Sequence, residues 1–240
     1  MNKKNQQSPD IRIIGFDADD TLWDNEPHYR ALEDVFCDEM KNILPPEESS
    51  KELFKTEIEN LPLYGYGAKA YTLSILETAL RLSNDQLPVS SVKKIMEAGK
   101  KLVDSPLQLL DDVVHVLERL SKHYKLIVAT KGDLLDQERK LRKSGLESYF
   151  HHIEIMSDKQ ESDYKRLLRH LDIEASHFLM VGNSLRSDIL PVLKLGGYAI
   201  HIPYHTTWLH EKIDVVDLPS ERFREFDTLA EIPDKCSWIN

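Results

Sequence analysis

The chain has 240 residues, 41% hydrophobic and 30% charged, enough to bury one large core or a core with a smaller insert. Its 31 Lys and Arg against 41 Asp and Glu give a net charge of -10. That balance excludes a general affinity for nucleic acid or for an anionic membrane, both of which need clustered positive charge, but leaves room for a local pocket that holds one phosphate.

The opening MNKKNQQSPD is polar and lacks the apolar core of a secretory signal. Residues 1–10 are expected to be a disordered start. No apolar run reaches the length of a transmembrane helix, and Cys37 and Cys236 have the spacing of neither a zinc site nor a disulfide framework. Two reduced thiols point to a cytoplasmic protein. IRIIGF (11–16) then reads as a buried strand.

The next stretch reads as helix. Leu32, Val35, Phe36, Met40 and Ile43 form one apolar stripe, and Leu53, Phe54 and Ile58 a second. Leu73, Leu76, Ala79 and Leu80 form a third, and Val92, Ile95 and Met96 a fourth. Breaks at Pro45-Pro46, Tyr64-Gly65-Tyr66-Gly67, Pro88 and Pro106 separate them, so residues 25–106 are expected to be a four-helix insert.

After the insert, helix and strand alternate. Leu107, Leu110, Val113, Val114, Leu117 and Leu120 repeat with a helical period over 107–122. Strand KLIVA (125–129) follows, then a helix over 133–144 with Asp133 as its cap and Gly145 as its stop. HIEIM (152–156), HFLMV (177–181) and YAIHI (198–202) are further strands. Between them lie helices over 162–171, starting at Ser162, and 186–195, ending at Gly196-Gly197. Alternation of this kind implies parallel βαβ units and a doubly wound α/β sheet covered on both faces, here over residues 11–24 and 107–240.

The strand ends carry the chemistry. After Phe16 the chain presents Asp17, Asp19 and Asp20, where open α/β sheets bind ligands. Two like charges about 4 Å apart cost roughly 4 kcal/mol at an effective dielectric of 20, so a proton or a cation must compensate. Oxygen ligands with one or two carboxylates suit Mg²⁺. The bland alternative is that Asp19 and Asp20 form an Asx turn or cap. The second strand ends at Thr130, followed by Lys131-Gly132-Asp133 at a helix start, a hydroxyl beside backbone N–H groups fit for an anion. The third is followed by Lys159, a point charge for phosphate. The fourth ends Val181-Gly182-Asn183-Ser184, with Asp188 five residues after Asn183. An acidic pair, a hydroxyl, a cation and an oxygen-plus-carboxylate set, in that order, make a kit for phosphoryl transfer.

In these four segments the chain resembles the haloacid dehalogenase superfamily. FDADDT matches its first motif, VATKGD the second at Thr130, Lys159 the third and VGNSLRSDI the fourth, over about Ile11 to Pro203. The resemblance implies a Rossmann-like core with a helical cap of the first type, acting on small phosphorylated metabolites. Asp17 would attack phosphorus to form an aspartyl-phosphate, and Asp19 would serve as acid and then base. The backbone carbonyl of Asp19 would join Asp17, Asn183 and Asp188 around Mg²⁺. Thr130, Lys131, Gly132 and Lys159 would hold the phosphoryl oxygens.

Two positions depart from the family pattern: Asn183 stands where an aspartate is frequent, and Gln160 where a proline often follows the lysine. Lys131 and Lys165 are therefore rivals to Lys159. A phosphomutase, a dehalogenase-type hydrolase and a non-catalytic phosphate-binding protein share the core, although dehalogenases generally lack the second aspartate. In the insert, YGYGAK (64–69) offers Tyr66 and Lys69 as contacts for what the phosphate is attached to, as part of a lid, or else is a locally packed helix–helix turn. The sequence sets neither the substrate nor the oligomeric state.

Overall fold

A computed structural model describes residues 9–206, 208–211 and 218–239. The expected disordered start lies mostly outside these residues, but Asp10 is within them and is held by Arg12 at 2.7 Å and by His177 at 3.4 Å. Contacts divide the chain into an α/β unit (1–24, 108–130 and 141–240) and a helical unit (25–107 with 131–140).

The α/β unit is built on a six-stranded sheet: β1 (Ile13–Phe16), β2 (Lys125–Lys131), β3 (His152–Met156), β4 (Phe178–Gly182), β5 (Tyr198–His201) and β6 (Phe223–Glu225), in the order β3-β2-β1-β4-β5-β6. The pairs β1–β2, β1–β4, β4–β5 and β5–β6 are parallel. Because both faces are covered, β1 and β4 are buried at every position, which is why they read as unbroken apolar runs. Phe16 pairs with Val128 on one side and Val181 on the other, so the residues just past it emerge at the centre of the sheet's carboxyl edge. The three-residue β6, Phe-Arg-Glu, was not foreseen; an edge strand this short has no apolar run to give it away.

The helical unit contains α1 (Glu26–Met40), α2 (Pro46–Tyr64), α3 (Ala68–Leu82) and α4 (Val89–Val103). Its core gathers Leu32, Phe36, Met40, Leu53, Tyr71, Ile75 and Ile95. Three expected stripes are corrected. Ile43 lies beyond the end of α1 and is exposed. Leu73 and Leu80 are exposed on α3, and Met96 on α4, while Tyr71, Ser74, Ile75 and Thr78 face inward on α3. Small residues set this register: a Cβ on Gly99 would lie 2.5 Å from the Thr72 methyl, so α3 and α4 approach through a glycine that an apolar count ignores.

Further along, α5 is Val113–Leu120, shorter than the expected 107–122. Asp112 is left-handed at φ 62°, and Leu109 and Leu110 instead join a two-stranded ribbon with Leu22 and Trp23. α6 (Leu134–Ser144) begins after Asp133, whose carboxylate accepts from the Asp136 N–H, and stops before Gly145 at φ 71°. α7 (Glu161–His170) begins one residue before the expected start and is capped by Gln160 in a box with Asp163, so Ser162 is not its cap. Residues Leu185–Ile189 make a π-helical turn that runs into α8 (Leu190–Lys194). Among the described residues no helix is long and apolar enough to cross a membrane.

Candidate active site

Asp17 follows the central strand directly, its N–H donating to the Val181 carbonyl at 2.9 Å. The residue is 7% exposed, an expensive place for a carboxylate. Lys159 meets the cost. The residue is 3% exposed, and its ammonium donates to Asp17 and, at 2.6 Å, to Asp188 Oδ1. Of the three lysines the sequence left open, Lys159 is paired with Asp17, Lys165 is exposed on α7, and the Lys131 ammonium lies over the Tyr66 ring.

Two carboxylates around one ammonium leave a net negative charge. Burial therefore pushes the Asp17 carboxyl up to about 7; Lys159 pulls it back, and the charges of Asp188 and Asp19 add to the rise. Burial works against the charged form of Lys159, but Asp17 and Asp188 overcome it and hold the ammonium above the usual lysine range.

Asp188 is set by its own loop. Its Oδ2 accepts from the Ser184 N–H at 3.0 Å, and Gly182 gives it room, since a Cβ there would lie 2.3 Å from that oxygen. Asn183 is tied to Asp17 through Thr21, whose hydroxyl lies 3.2 Å from Asp17 Oδ2 and 3.3 Å from Asn183 Oδ1. Asp20 makes the turn between them in a left-handed conformation, φ 61°. Asp19, at the same turn, is partly exposed and accepts from the Trp23 indole N–H at 2.7 Å. Thr130 is buried at the end of β2, the strand beside β1. The predicted set Asp17, Asn183, Asp188 and Lys159 is thus assembled within one unit.

The oxygens of Asp17, Asn183 and Asp188 match what a hard divalent cation takes, two carboxylates and an amide oxygen around unbalanced negative charge. Among the described residues no three His, Cys, Asp or Glu side chains form a cluster fit for a metal, so any cation here would draw on neutral oxygens as well.

Several supporting residues escaped the sequence. Glu211 accepts from the hydroxyls of Ser184 and, at 2.6 Å, Ser187. His201 sits between the Asn183 carbonyl, 3.0 Å from Nε2, and Glu225, 2.7 Å from Nδ1. Trp23 is the nearest in sequence to the residue it serves. Its signal was a buried-type aromatic four residues after an exposed acid, which is too common to single out.

In the helical unit the YGYGAK loop turns at Gly65 (φ 69°) and Gly67 (φ 113°). Lys69 is paired with Asp133 at 2.8 Å, and Lys131 stacks 4.2 Å from the Tyr66 ring centroid. Gly132, at φ 134°, packs on Gln137, whose amide donates to the Lys131 carbonyl at 2.9 Å. These contacts, with Lys140 on Asn25 at 2.7 Å, bind residues 131–140 into the helical unit, where the sequence had assigned them to the core.

A family model described as haloacid dehalogenase-like hydrolase matches residues 11–196. Human N-acylneuraminate-9-phosphatase is 24% identical over an alignment of 247 residues covering 93% of this chain and 92% of that protein. A haloacid dehalogenase-like family hydrolase from Xanthomonas campestris has a crystal structure that is similar with a TM-score of 0.84 and 35% identity, over 97% of this chain and 92% of that one. A 2-haloacid dehalogenase from Pseudomonas syringae shares the fold at a TM-score of 0.64 and 21% identity, over 93% and 97% of the two chains.

Proposed function

Since the chain belongs to the haloacid dehalogenase-like hydrolases, we propose that it is a Mg²⁺-dependent phosphatase of small phosphorylated metabolites working through an aspartyl-phosphate. The observation that carries this reading is the buried Asp17 held by Lys159, with a second carboxylate, Asp19, on the same turn. The phosphatase name of the human relative supports it.

In the first half-reaction an Asp17 oxygen forms a bond to phosphorus as the bond to the leaving oxygen breaks. That oxygen departs with its electron pair and takes a proton from Asp19. In the second, water forms the new bond to phosphorus, the bond to Asp17 breaks, and Asp19 takes the water's proton. Thr130, Lys131, Gly132 and Lys159 are the groups proposed to hold the phosphoryl oxygens. Asp17, Asn183, Asp188 and the Asp19 carbonyl would hold Mg²⁺. Once bound, the cation neutralises charge on the carboxylates and the phosphate.

Tyr66 and Lys69 are proposed to contact the remainder of the substrate; an anionic substrate would compete with Asp133 for Lys69. A cytoplasmic setting belongs to the same reading, and the free, buried thiols of Cys37 and Cys236 are in keeping with it.

The test is hydrolysis of 4-nitrophenyl phosphate with Mg²⁺ and with chelator. Turnover that is lost on chelation and restored by Mg²⁺ is the expected result. Turnover of a 2-haloacid without metal, and none of the phosphate, would replace the phosphatase by the dehalogenase chemistry of the same core.

A further inference from the structure

We propose that Trp23 is a positioning residue for Asp19, its indole N–H holding the carboxylate in the orientation from which it exchanges a proton with the leaving oxygen and with water. This rests on the reading of Asp19 as acid and base.

Trp23 is 1% exposed. A buried indole needs an acceptor for its one polar atom, and here that acceptor is Asp19 Oδ1, 2.7 Å away. The indole is a donor only. It can bond to a lone pair of Oδ1, and a proton on that same oxygen would weaken the bond. The bond therefore orients the carboxylate through Oδ1. When the leaving oxygen takes a proton from Asp19, the O–H bond breaks and its electron pair stays on the carboxylate. When water is split, the proton returns to Asp19.

The backbone that carries the indole is fixed on both sides. Trp23 bridges Asp19 and Leu109 through its backbone, its carbonyl accepts from the Asp20 N–H at 2.8 Å, and Leu22 and Asp24 pair with Leu110 and Gln108 at 3.0 Å each. The next residue, Asp24, accepts from the Tyr204 hydroxyl at 2.8 Å. Asp19, by contrast, is partly exposed on a turn. A donor carried on this ribbon thus restricts the rotation of the Asp19 carboxylate, which favours one reactive geometry.

Trp23→Phe keeps an aromatic ring and removes the N–H. The experiment measures kcat/KM of wild type, Trp23→Phe, Asp19→Asn and the double variant on a series of phosphate monoesters with Mg²⁺, from 2,4-dinitrophenyl to alkyl. Departure of dinitrophenolate needs no proton, whereas an alkoxide must be protonated as it leaves. Trp23→Phe should lower the alkyl rate by about tenfold to a hundredfold, a share of what general acid catalysis supplies, and the dinitrophenyl rate by less than about threefold. In the Asp19→Asn background it should add nothing. An equal loss on every ester, or no loss on any, overturns the proposal. A flat series in Asp19→Asn removes Asp19 as the acid, and a wild type inert on all esters removes the phosphatase reading as well.

A second measurement does not depend on the variant's folding. Of the three tryptophan indole N–H signals, that of Trp23 should lie downfield in the wild type and move upfield in Asp19→Ala. If no indole signal moves, the bond is not made in solution and the proposal falls.

Discussion

At the centre of the α/β unit Asp17, Lys159 and Asp188 are nearly withdrawn from solvent, whereas the polar side chains buried among the four helices of the insert are neutral, among them Thr56, Asn60, Ser74 and Thr78. The insert keeps its ion pairs, such as Lys94–Glu39 at 2.6 Å and Arg81–Glu52 at 2.9 Å, toward the surface. Neutral groups can close their hydrogen bonds inside a helix, as Thr78 does on the Ser74 carbonyl at 2.7 Å, and they cost little. Buried charges cost several kcal/mol each before pairing, so they persist where chemistry requires them or where a local partner offsets the cost, as Arg139 does for Asp136 at 2.6 Å and the α7 capping box for Asp163. In the proposed reading the contrast puts the making and breaking of bonds in the α/β unit and leaves the four helices to act through their exposed residues.

Experiments can break that contrast. The largest effect is expected from Asp17→Asn, because an amide is a poor nucleophile: turnover and phosphoenzyme, trapped by acid quench, should both fall to background. Retained steady-state turnover would end the nucleophile assignment.

Next in size is Lys159→Ala, expected to lower kcat by roughly a hundredfold or more, the scale of removing one group that meets developing charge. Lys131→Ala should do less, and Lys165→Ala, on an exposed face, least. The reverse order would move the phosphate-stabilising cation elsewhere.

A smaller effect concerns stability. The Asp17 carboxyl sits at about 7 in the folded protein against 3.8 in a free carboxylate, so between those pH values the folded state holds a proton the unfolded chain has released. Stability from this group therefore falls as pH rises through that window. In chelator, Asp17→Asn should melt above the wild type at pH 8, and the difference should close toward pH 4, each kcal/mol appearing as about 2–4 °C. A difference independent of pH would contradict the cost of burial at Asp17.

The smallest effect is assigned to the insert. Lys69→Ala should raise KM for natural anionic substrates by roughly threefold, the scale of an exposed charge contact, and leave 4-nitrophenyl phosphate little changed. Equal effects on both would remove Lys69 from recognition of the leaving group.

Much of the α/β unit was legible because parallel buried strands spell themselves as apolar runs, and their ends then announce the residues that meet at the carboxyl edge. The start of α5 was misread because Leu107 and Leu110 keep the helical period while residues 108–110 are taken by the ribbon with 22–24. The inward faces of α3 and α4 were misread because Gly99 and Thr72, not large side chains, set their approach. Glu211, His201 and Glu225 carry no local signal: each acts on the fourth loop from at least eighteen residues away, a proximity only the fold creates.

The ribbon of 22–24 with 108–110 has one more consequence. Asp24 N–H and Gln108 carbonyl are 3.0 Å apart, so the chain on either side of residues 25–107 is pinned together as tightly as the neck of a hairpin. To the sheet, everything between those positions is a loop whose ends are already closed. Loop-closure entropy grows only with the logarithm of length, so residues can be gained or lost within the insert at a cost of tenths of a kcal/mol to the rest. The sheet and its catalytic edge can stay fixed in sequence while the helices drift, and a new substrate can be acquired without refolding the old machinery.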